Sequence, residues 1–293
     1  MSQSMSQNAA TNQGRPPERD AAPHLTALTL CVADGVAEVE LNRPEKSNAM
    51  NRAMWADLRA TFRYLDALPA ARVVVLTGAG KHFTAGIDLE MLMNIGGIDK
   101  IDRCPGRARE LLRLQVLDLQ DVITSLDVCR KPVLAAIHGA CIGGGVDLVT
   151  AADMRYCTED ARFVVKEIDL GLVADVGTLQ RLPKVIGDGM AREMAYTGRP
   201  VGGPEAKEIG LVNRCYPSRE AMLTGVREIA RQIAAKSPLA VRGTKEMIRY
   251  TRDHSVADSL NMMAIWNGGL LVSEDLMEAF SATKERRPAK FRD

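Results

Sequence analysis

The chain has 293 residues, 46% of them hydrophobic and 26% charged, which suffices for one large domain or two small ones. Its 38 Lys and Arg residues nearly balance 37 Asp and Glu residues, and the net charge of +1 argues against nucleic acid or a membrane surface as a partner. The apolar runs are short and broken, so no transmembrane helix is expected.

Residues 1–24 are polar and lack the apolar stretch of an export signal, which predicts a disordered tail. The six cysteines form no CxxC pair, and we expect reduced thiols. The final residues, RRPAKFRD, are not a peroxisomal signal. Together these features predict a cytoplasmic protein.

Residues 25–215 are predicted to form an α/β core. Alternating apolar residues on both sides of Asp34-Gly35 indicate a β-hairpin, and residues 51–68 have the apolar spacing of a helix. A long helix is predicted over residues 107–129, and GGGVDLVTAAD begins another. The predicted strands are ARVVVLTG, PVLAAIHG, MRYCT and RFVVKE. Strands that alternate with helices favour an α/β fold with a mixed, largely buried sheet.

Residues 216–293 are predicted to form a C-terminal helical region. From about residue 176 onward the segments are helical in pattern, with Gly, Pro or Ser at their ends. One of these helices contains Met262, Met263 and Trp266. Such a helix is expected to pack on the α/β core or on a neighbouring subunit.

Three carboxylates in apolar surroundings are the candidate catalytic groups: Asp147, Glu167 and Asp175. Asp147 comes shortly after the glycine run 143–145. Glu167 and Asp175 lie 20 and 28 residues after Asp147. Burial of an ionised carboxylate is unfavourable and raises its pKa, which suits acid–base chemistry. The alternative is a structural role for these carboxylates, as a helix cap or in a salt bridge with Arg155, Lys166 or Arg181. Asp169 lies close by in the sequence and is expected to have no catalytic role.

Two turns that follow predicted strands indicate an oxyanion hole. HFTAGIDL, residues 82–89, places Ala85, Gly86 and Ile87 in one turn, and the glycine run forms the other. Each turn can direct one backbone N–H at a single oxygen atom. Taken singly, they could be ordinary tight turns.

Other chemistries have weak support in the sequence. TGAGKHFT fails the phosphate-loop pattern, and no GxGxxG opens a helix. The four histidines lie far apart without an HExxH pair, and there is no GxSxG elbow. We therefore expect no metal, no cofactor and no nucleophilic serine.

The motifs resemble the crotonase, or enoyl-CoA hydratase/isomerase, superfamily from about residue 25 to residue 285. The resemblance rests on LNRPEKSNAM, HFTAGIDL, IHGACIGGGVDL and VKEIDLGLVADVGTLQRLP. Within the superfamily, Asp147, Glu167 and Asp175 together resemble the Δ3,5-Δ2,4-dienoyl-CoA isomerases. The hydratases carry Glu where this chain has Asp147 and generally lack an acid at position 175.

This resemblance implies a spiral of ββα units with a C-terminal helical trimerisation region, and trimers that pair into hexamers. It implies an acyl-CoA substrate whose thioester oxygen is bound by the amides of Ile87 and Gly144. Lys46 is similar to a residue near the CoA nucleotide. Residues implied to flank the CoA arm are Ala85, Gly86, Asp88 and Leu89.

The implied reaction is the isomerisation of 3,5-dienoyl-CoA to 2,4-dienoyl-CoA in fatty acid β-oxidation. Glu167 is expected to act at C2 and Asp175 at C6, although the two roles could be swapped. Asp147 is expected to hold a charge or a hydrogen bond in place. The alternatives are an enoyl-CoA hydratase that acts on 2-enoyl-CoA, and an RNA-binding protein, which the absence of a basic stripe disfavours.

Overall fold

The computed structural model describes residues 22–95 and 104–293. All but the last three residues of the predicted disordered tail, 1–24, lie outside this described part of the chain. The predicted hairpin is confirmed: strands β1 (Leu28–Ala33) and β2 (Val36–Leu41) pair antiparallel. Asp34 and Gly35 between them both have positive φ, 51° and 80°, as a two-residue hairpin turn requires.

The main sheet adds four strands to the hairpin: β3 (Val73–Gly78), β4 (Val133–Ile137), β6 (Met154–Thr158) and β9 (Arg214–Tyr216). Its six strands lie in the order β1-β2-β3-β4-β6-β9. Beyond the hairpin, every neighbouring pair is parallel, so the sheet is mixed as predicted. All residues of β3 and β4 are buried, which explains their continuous apolar sequences.

A second sheet of three short strands lies beside the main sheet. It consists of β5 (Ala140–Ile142), β7 (Arg162–Val164) and β8 (Val201–Gly202), in that order. β5 pairs parallel with β7, and β7 pairs antiparallel with β8. An isolated bridge joins Thr84 to Cys141 of β5. This sheet therefore brings the end of β5 next to the turn after residue 84.

Seven helices of the described chain accompany the sheets. Their ranges are α1 (Arg52–Ala67), α2 (Leu89–Ile95), α3 (Pro105–Val128), α4 (Gly144–Thr150), α5 (Thr178–Ile186), α6 (Asp188–Thr197) and α7 (Gly203–Glu208). The Asn51 side chain caps α1 by accepting from Met54 N–H. The predicted apolar face of α1 is fully buried, including Leu58, Phe62 and Leu65.

Four helices follow the sheets: α8 (Arg219–Ala234), α9 (Pro238–Thr251), α10 (Val256–Leu270) and α11 (Glu274–Glu285). A serine caps each N-terminus, at positions 218, 237, 255 and 273. Helix α8 packs Met222 and Val226 against Val73 and Val75 of the main sheet. Helix α10 buries none of its residues. Across the described ranges, no helix combines the length and apolarity needed to cross a membrane.

Candidate active site

The site forms where the turn after β3 meets the end of β5. The side-chain amide of Asn48, a fully buried residue, donates to the backbone carbonyls of Ala79 and His82. The backbone carbonyl of Asn48 accepts from the Thr84 hydroxyl at 2.7 Å. The same hydroxyl accepts from Gly86 N–H at 3.1 Å. This network fixes the turn that carries residues 85–88.

The two amides predicted as an oxyanion hole lie close together. Gly86 has a φ of +89°, and a Cβ there would lie 2.6 Å from the Ile142 carbonyl oxygen and 3.5 Å from Gly144 N. A Cβ on Gly144 would lie 3.8 Å from Ile87 N. Within the described chain, neither Ile87 N–H nor Gly144 N–H donates a hydrogen bond. Gly144 is the first residue of α4, where N–H groups have no partner inside the helix.

Asp147 and Glu167 both lie next to Gly143. Asp147, only 1% exposed, lies in α4, and its backbone N–H faces the Gly143 carbonyl. Glu167 begins a 3-10 turn after β7, and its Oε1 lies 3.0 Å from the position of a Cβ on Gly143. Gly143 has a φ of +49°. A side chain there would be strained and would press on the Glu167 carboxylate.

Burial raises the pKa of both carboxyl groups. Desolvation raises the pKa of Asp147 to about 7, a hydrogen bond from Thr178 opposes the shift, and the charge of Glu167 adds to it. Desolvation likewise raises the pKa of Glu167, and the charge of Asp175 adds to that shift. In the described structure, Asp147 Oδ2 and Glu167 Oε2 are buried without a hydrogen-bond partner. Asp147 is therefore suited to exchange a proton near neutral pH, and Glu167 keeps its proton to a higher pH than an exposed glutamate does.

Asp175 is in a different environment from the other two carboxylates. It is exposed in this chain, although partial desolvation still raises its pKa. Its backbone carbonyl accepts a 2.6 Å hydrogen bond from the Gln120 side chain of α3. Its charge acts on both Asp147 and Glu167. The three predicted carboxylates therefore form one electrostatic group.

The salt bridges that offered a structural explanation for the carboxylates are made elsewhere. Lys166 pairs with Asp169 at 2.6 Å, which makes Asp169 the expected bystander. Arg181 pairs with Asp127 at 3.4 Å, and Arg155 donates to backbone carbonyls, including that of Ala152. Among the described residues, none of these cations pairs with the candidate carboxylates.

The residues predicted to flank a CoA arm lie at the rim of this turn. Ala85 and Leu89 are exposed, and Lys46 is exposed on a 3-10 turn, Pro44–Lys46. The Asp88 side chain forms an ion pair with Arg43 at 3.1 Å, and both side chains are 17% exposed. Asp88 thereby ties the turn to the segment before α1.

Sequence reasoning missed several residues of the site. Thr178 N–H, at the start of α5, donates to Asp147 Oδ1 at 2.6 Å. Met50 is fully buried, with its Cε 2.5 Å from the position of a Cβ on Gly144. The Trp55 ring N–H donates to the Met50 carbonyl at 3.1 Å. None of these contacts has a local sequence signal.

A cavity of about 580 Å³ lies elsewhere, between the end of α4 and helices α5, α8 and α9. None of the candidate carboxylates and neither candidate amide lines this cavity, so it is separate from the candidate site. Within the described residues, no group of three His, Cys, Asp or Glu side chains is arranged to hold a metal ion.

Known proteins share the sequence motifs and the fold of this chain. The family model described as Enoyl-CoA hydratase/isomerase matches residues 32–293. The peroxisomal Delta(3,5)-Delta(2,4)-dienoyl-CoA isomerase of Arabidopsis thaliana is 47% identical over 86% of this chain and 90% of its own. The mitochondrial Delta(3,5)-Delta(2,4)-dienoyl-CoA isomerase of Mus musculus is 44% identical over 98% of this chain and 88% of its own.

A solved structure of an enoyl-CoA hydratase from Bacillus anthracis superposes with a TM-score of 0.82. It is 31% identical and covers 91% of this chain and 99% of that chain. The predicted α/β fold of crotonase type, with helices at its C-terminal end, is confirmed. The prediction of a cytoplasmic protein is wrong, because these isomerase relatives are named as peroxisomal and mitochondrial.

Proposed function

The chain belongs to the enoyl-CoA hydratase/isomerase family, and from that premise we propose that it isomerises 3,5-dienoyl-CoA to 2,4-dienoyl-CoA in fatty acid β-oxidation. Support comes from the relatives of that name, which are 44% and 47% identical to this chain, whereas the solved enoyl-CoA hydratase is 31% identical. The observation that carries the proposal is the group of three interacting carboxylates beside two free amides.

The thioester oxygen is proposed to accept hydrogen bonds from Ile87 N–H and Gly144 N–H. Removal of a proton from C2 turns the thioester into an enolate, and its oxygen gains negative charge. Two preorganised donors stabilise that charge, each by roughly 3–4 kcal/mol in comparable sites. The supporting feature is that neither amide donates a hydrogen bond within the described chain.

Glu167 is proposed to remove the C2 proton and Asp175 to deliver a proton at C6. Electrons then move from the C2–H bond through the double bonds to C6, so both double bonds shift by one position. Glu167 starts ionised and ends protonated, and Asp175 does the reverse. The raised pKa of Asp175 favours the protonated starting form that this step needs. Asp147 is proposed to hold a charge beside Glu167.

The CoA arm is proposed to pass along the rim of the turn, past Ala85, Gly86, Asp88 and Leu89. Lys46 would lie near the nucleotide, where an exposed cation suits a phosphate. The substrate carries the reacting groups itself, so we propose no metal and no cofactor.

A spectrophotometric assay tests the proposed reaction. Purified protein should convert 3,5-dienoyl-CoA much faster than it hydrates 2-enoyl-CoA. The product double bonds are conjugated with the thioester, so near-UV absorbance rises during isomerisation, whereas hydration lowers it. Faster hydration of 2-enoyl-CoA would replace the isomerase assignment with the hydratase alternative.

We further propose that the chain assembles as a homotrimer or a pair of trimers through α10. This helix carries Leu260 and Ile265 on nearly opposite sides, both more than 60% exposed. Large exposed apolar side chains on two sides of one helix mark an interaction surface, and a second copy of the chain would bury them.

Sedimentation equilibrium should therefore give three or six times the chain mass of 31.9 kDa. Leu260→Asp combined with Ile265→Asp should reduce that mass to one chain, because each charge would be buried in the interface. A wild-type chain that sediments as a monomer at micromolar concentration would contradict the proposed assembly.

A further inference from the structure

Thr178 is in direct contact with the most deeply buried carboxylate of the site. It is the first residue of α5, and its N–H donates to Asp147 Oδ1 at 2.6 Å. Its side chain is 1% exposed, as is Asp147. The first N–H groups of a helix carry partial positive charge and favour an ionised acceptor.

Two polar atoms of this pair remain without a partner among the described residues. Thr178 Oγ1 and Asp147 Oδ2 are both buried and make no hydrogen bond. A buried hydroxyl normally has a partner, since an unmade hydrogen bond is costly. The side chain of Thr178 also acts on Asp147 in the direction that favours its ionised form. Within the described structure, the Thr178 hydroxyl is therefore an unpaired donor on the residue that already binds the Asp147 carboxylate through its N–H.

We infer that Thr178 is a positioning residue that holds Asp147 in place and ionised during turnover, through its backbone N–H and its hydroxyl together. The inference rests on the proposed function for its catalytic meaning. An ionised Asp147 beside Glu167 makes Glu167 a stronger base, because two like charges at short range favour protonation of either group. Thr178 thereby controls the base without contact to the substrate.

The remaining charges around Asp147 have other partners or the same sign. Glu167 and Asp175 both disfavour its ionised form, and so would a thiolate at Cys141. Arg181, which lies against Gly177, is paired with Asp127. Among the residues that the structure describes, Thr178 is therefore the group that stabilises the Asp147 charge.

The test compares Thr178→Val with Thr178→Ser. Valine keeps the backbone N–H and the shape of threonine but removes the hydroxyl, whereas serine restores it. Thr178→Val should lower kcat by about tenfold with little change in KM, and should move up by about one pH unit the part of the acid limb of kcat/KM that reports the ionisation of Asp147. Thr178→Ser should resemble wild type. Thr61→Val is the matched control, because Thr61 is a fully buried hydroxyl without a partner in the described structure and belongs to α1.

A second readout does not depend on the substrate. The carboxyl carbon of Asp147, labelled with ¹³C and assigned with Asp147→Asn, reports its titration by NMR. Thr178→Val should raise the Asp147 pKa, and Thr61→Val should leave it unchanged. If wild type fails to isomerise 3,5-dienoyl-CoA but the titration still shifts, the proposed function fails and the positioning of Asp147 stands. An unchanged titration in folded Thr178→Val overturns the inference. Thr178→Ser, which keeps the hydroxyl, provides the test if Thr178→Val does not fold. The inference is then overturned when Thr178→Ser differs from wild type in the Asp147 titration and in the pH profile.

Discussion

Glu167→Gln is expected to lower kcat for 3,5-dienoyl-CoA by roughly 10²-fold or more, the usual effect of removing a positioned base. Glutamine keeps the size of the side chain and its place over Gly143, but it cannot accept the C2 proton. KM should change little, because the proposed CoA contacts lie on residues 85–89. Steady-state kinetics on the purified variant measure both quantities.

The matched control for this variant is Asp169→Asn. Asp169 lies in the same 3-10 turn, is exposed, and pairs with Lys166, so its loss should leave kcat nearly unchanged. Asp175→Asn should lower kcat on the scale of Glu167→Gln. Near-normal turnover in Asp175→Asn would make Asp175 a structural carboxylate and favour the hydratase alternative.

The role of Glu167 as the base also determines how the activity of the wild-type enzyme should depend on pH. Glu167 must be ionised to accept a proton, and burial raises its pKa. Values of kcat/KM should therefore fall as the pH drops through that raised pKa, at a higher pH than for an exposed glutamate. In Glu167→Gln the remaining activity should lack the part of the acid limb that reports Glu167, and the part that reports Asp147 should remain.

Gly144→Val is expected to abolish turnover while the chain stays folded. A Cβ on Gly144 would lie 2.5 Å from Met50 Cε and 3.8 Å from Ile87 N, so the valine methyl groups enter the space between the two amides. Met50 Cε is the end of a flexible side chain and can move aside. The thioester oxygen cannot, because it must approach both N–H groups within hydrogen-bond distance.

The control for this variant is Gly189→Val in α6. Gly189 is exposed, and a Cβ there would meet no atom within 4 Å, so the change adds the same side chain without closing the site. Ile87→Ala should reduce activity only modestly, because the backbone amide remains. Circular dichroism and gel filtration beside the activity assay separate misfolding from a blocked site. Substantial activity in folded Gly144→Val would mean that the thioester binds elsewhere.

Local sequence patterns predicted the elements that place the site. Asp34-Gly35 between alternating apolar residues specified the hairpin, because only a few residue pairs adopt positive φ at both positions of its turn. The apolar spacing of residues 51–68 specified α1, because one helix face must be buried. The small residues around 86 and 144 indicated two close turns, and both are present with free amides.

Contacts between distant parts of the chain could not be predicted in this way. The Asp88 side chain pairs with Arg43, 45 positions earlier, and no short pattern joins the two. Thr178 reaches Asp147 across 31 positions through a backbone N–H that every residue but proline possesses. Asp175 lies in an apolar sequence but is exposed in this chain, as are the nearby Leu172 and Val173, because apolar residues do not ensure burial at a given position.

The buried Asp147 carboxyl group makes the conformational stability of the protein decrease as the pH rises. Its pKa is about 7 in the folded chain against an ordinary value of 3.8, so the folded chain binds this proton more tightly than the unfolded chain does. The stability from this difference is present in full below pH 3.8 and is lost as the pH rises through 7. Selection for thermal resistance alone would replace Asp147 with a neutral residue, and its presence marks a place where activity and resistance to heat oppose each other.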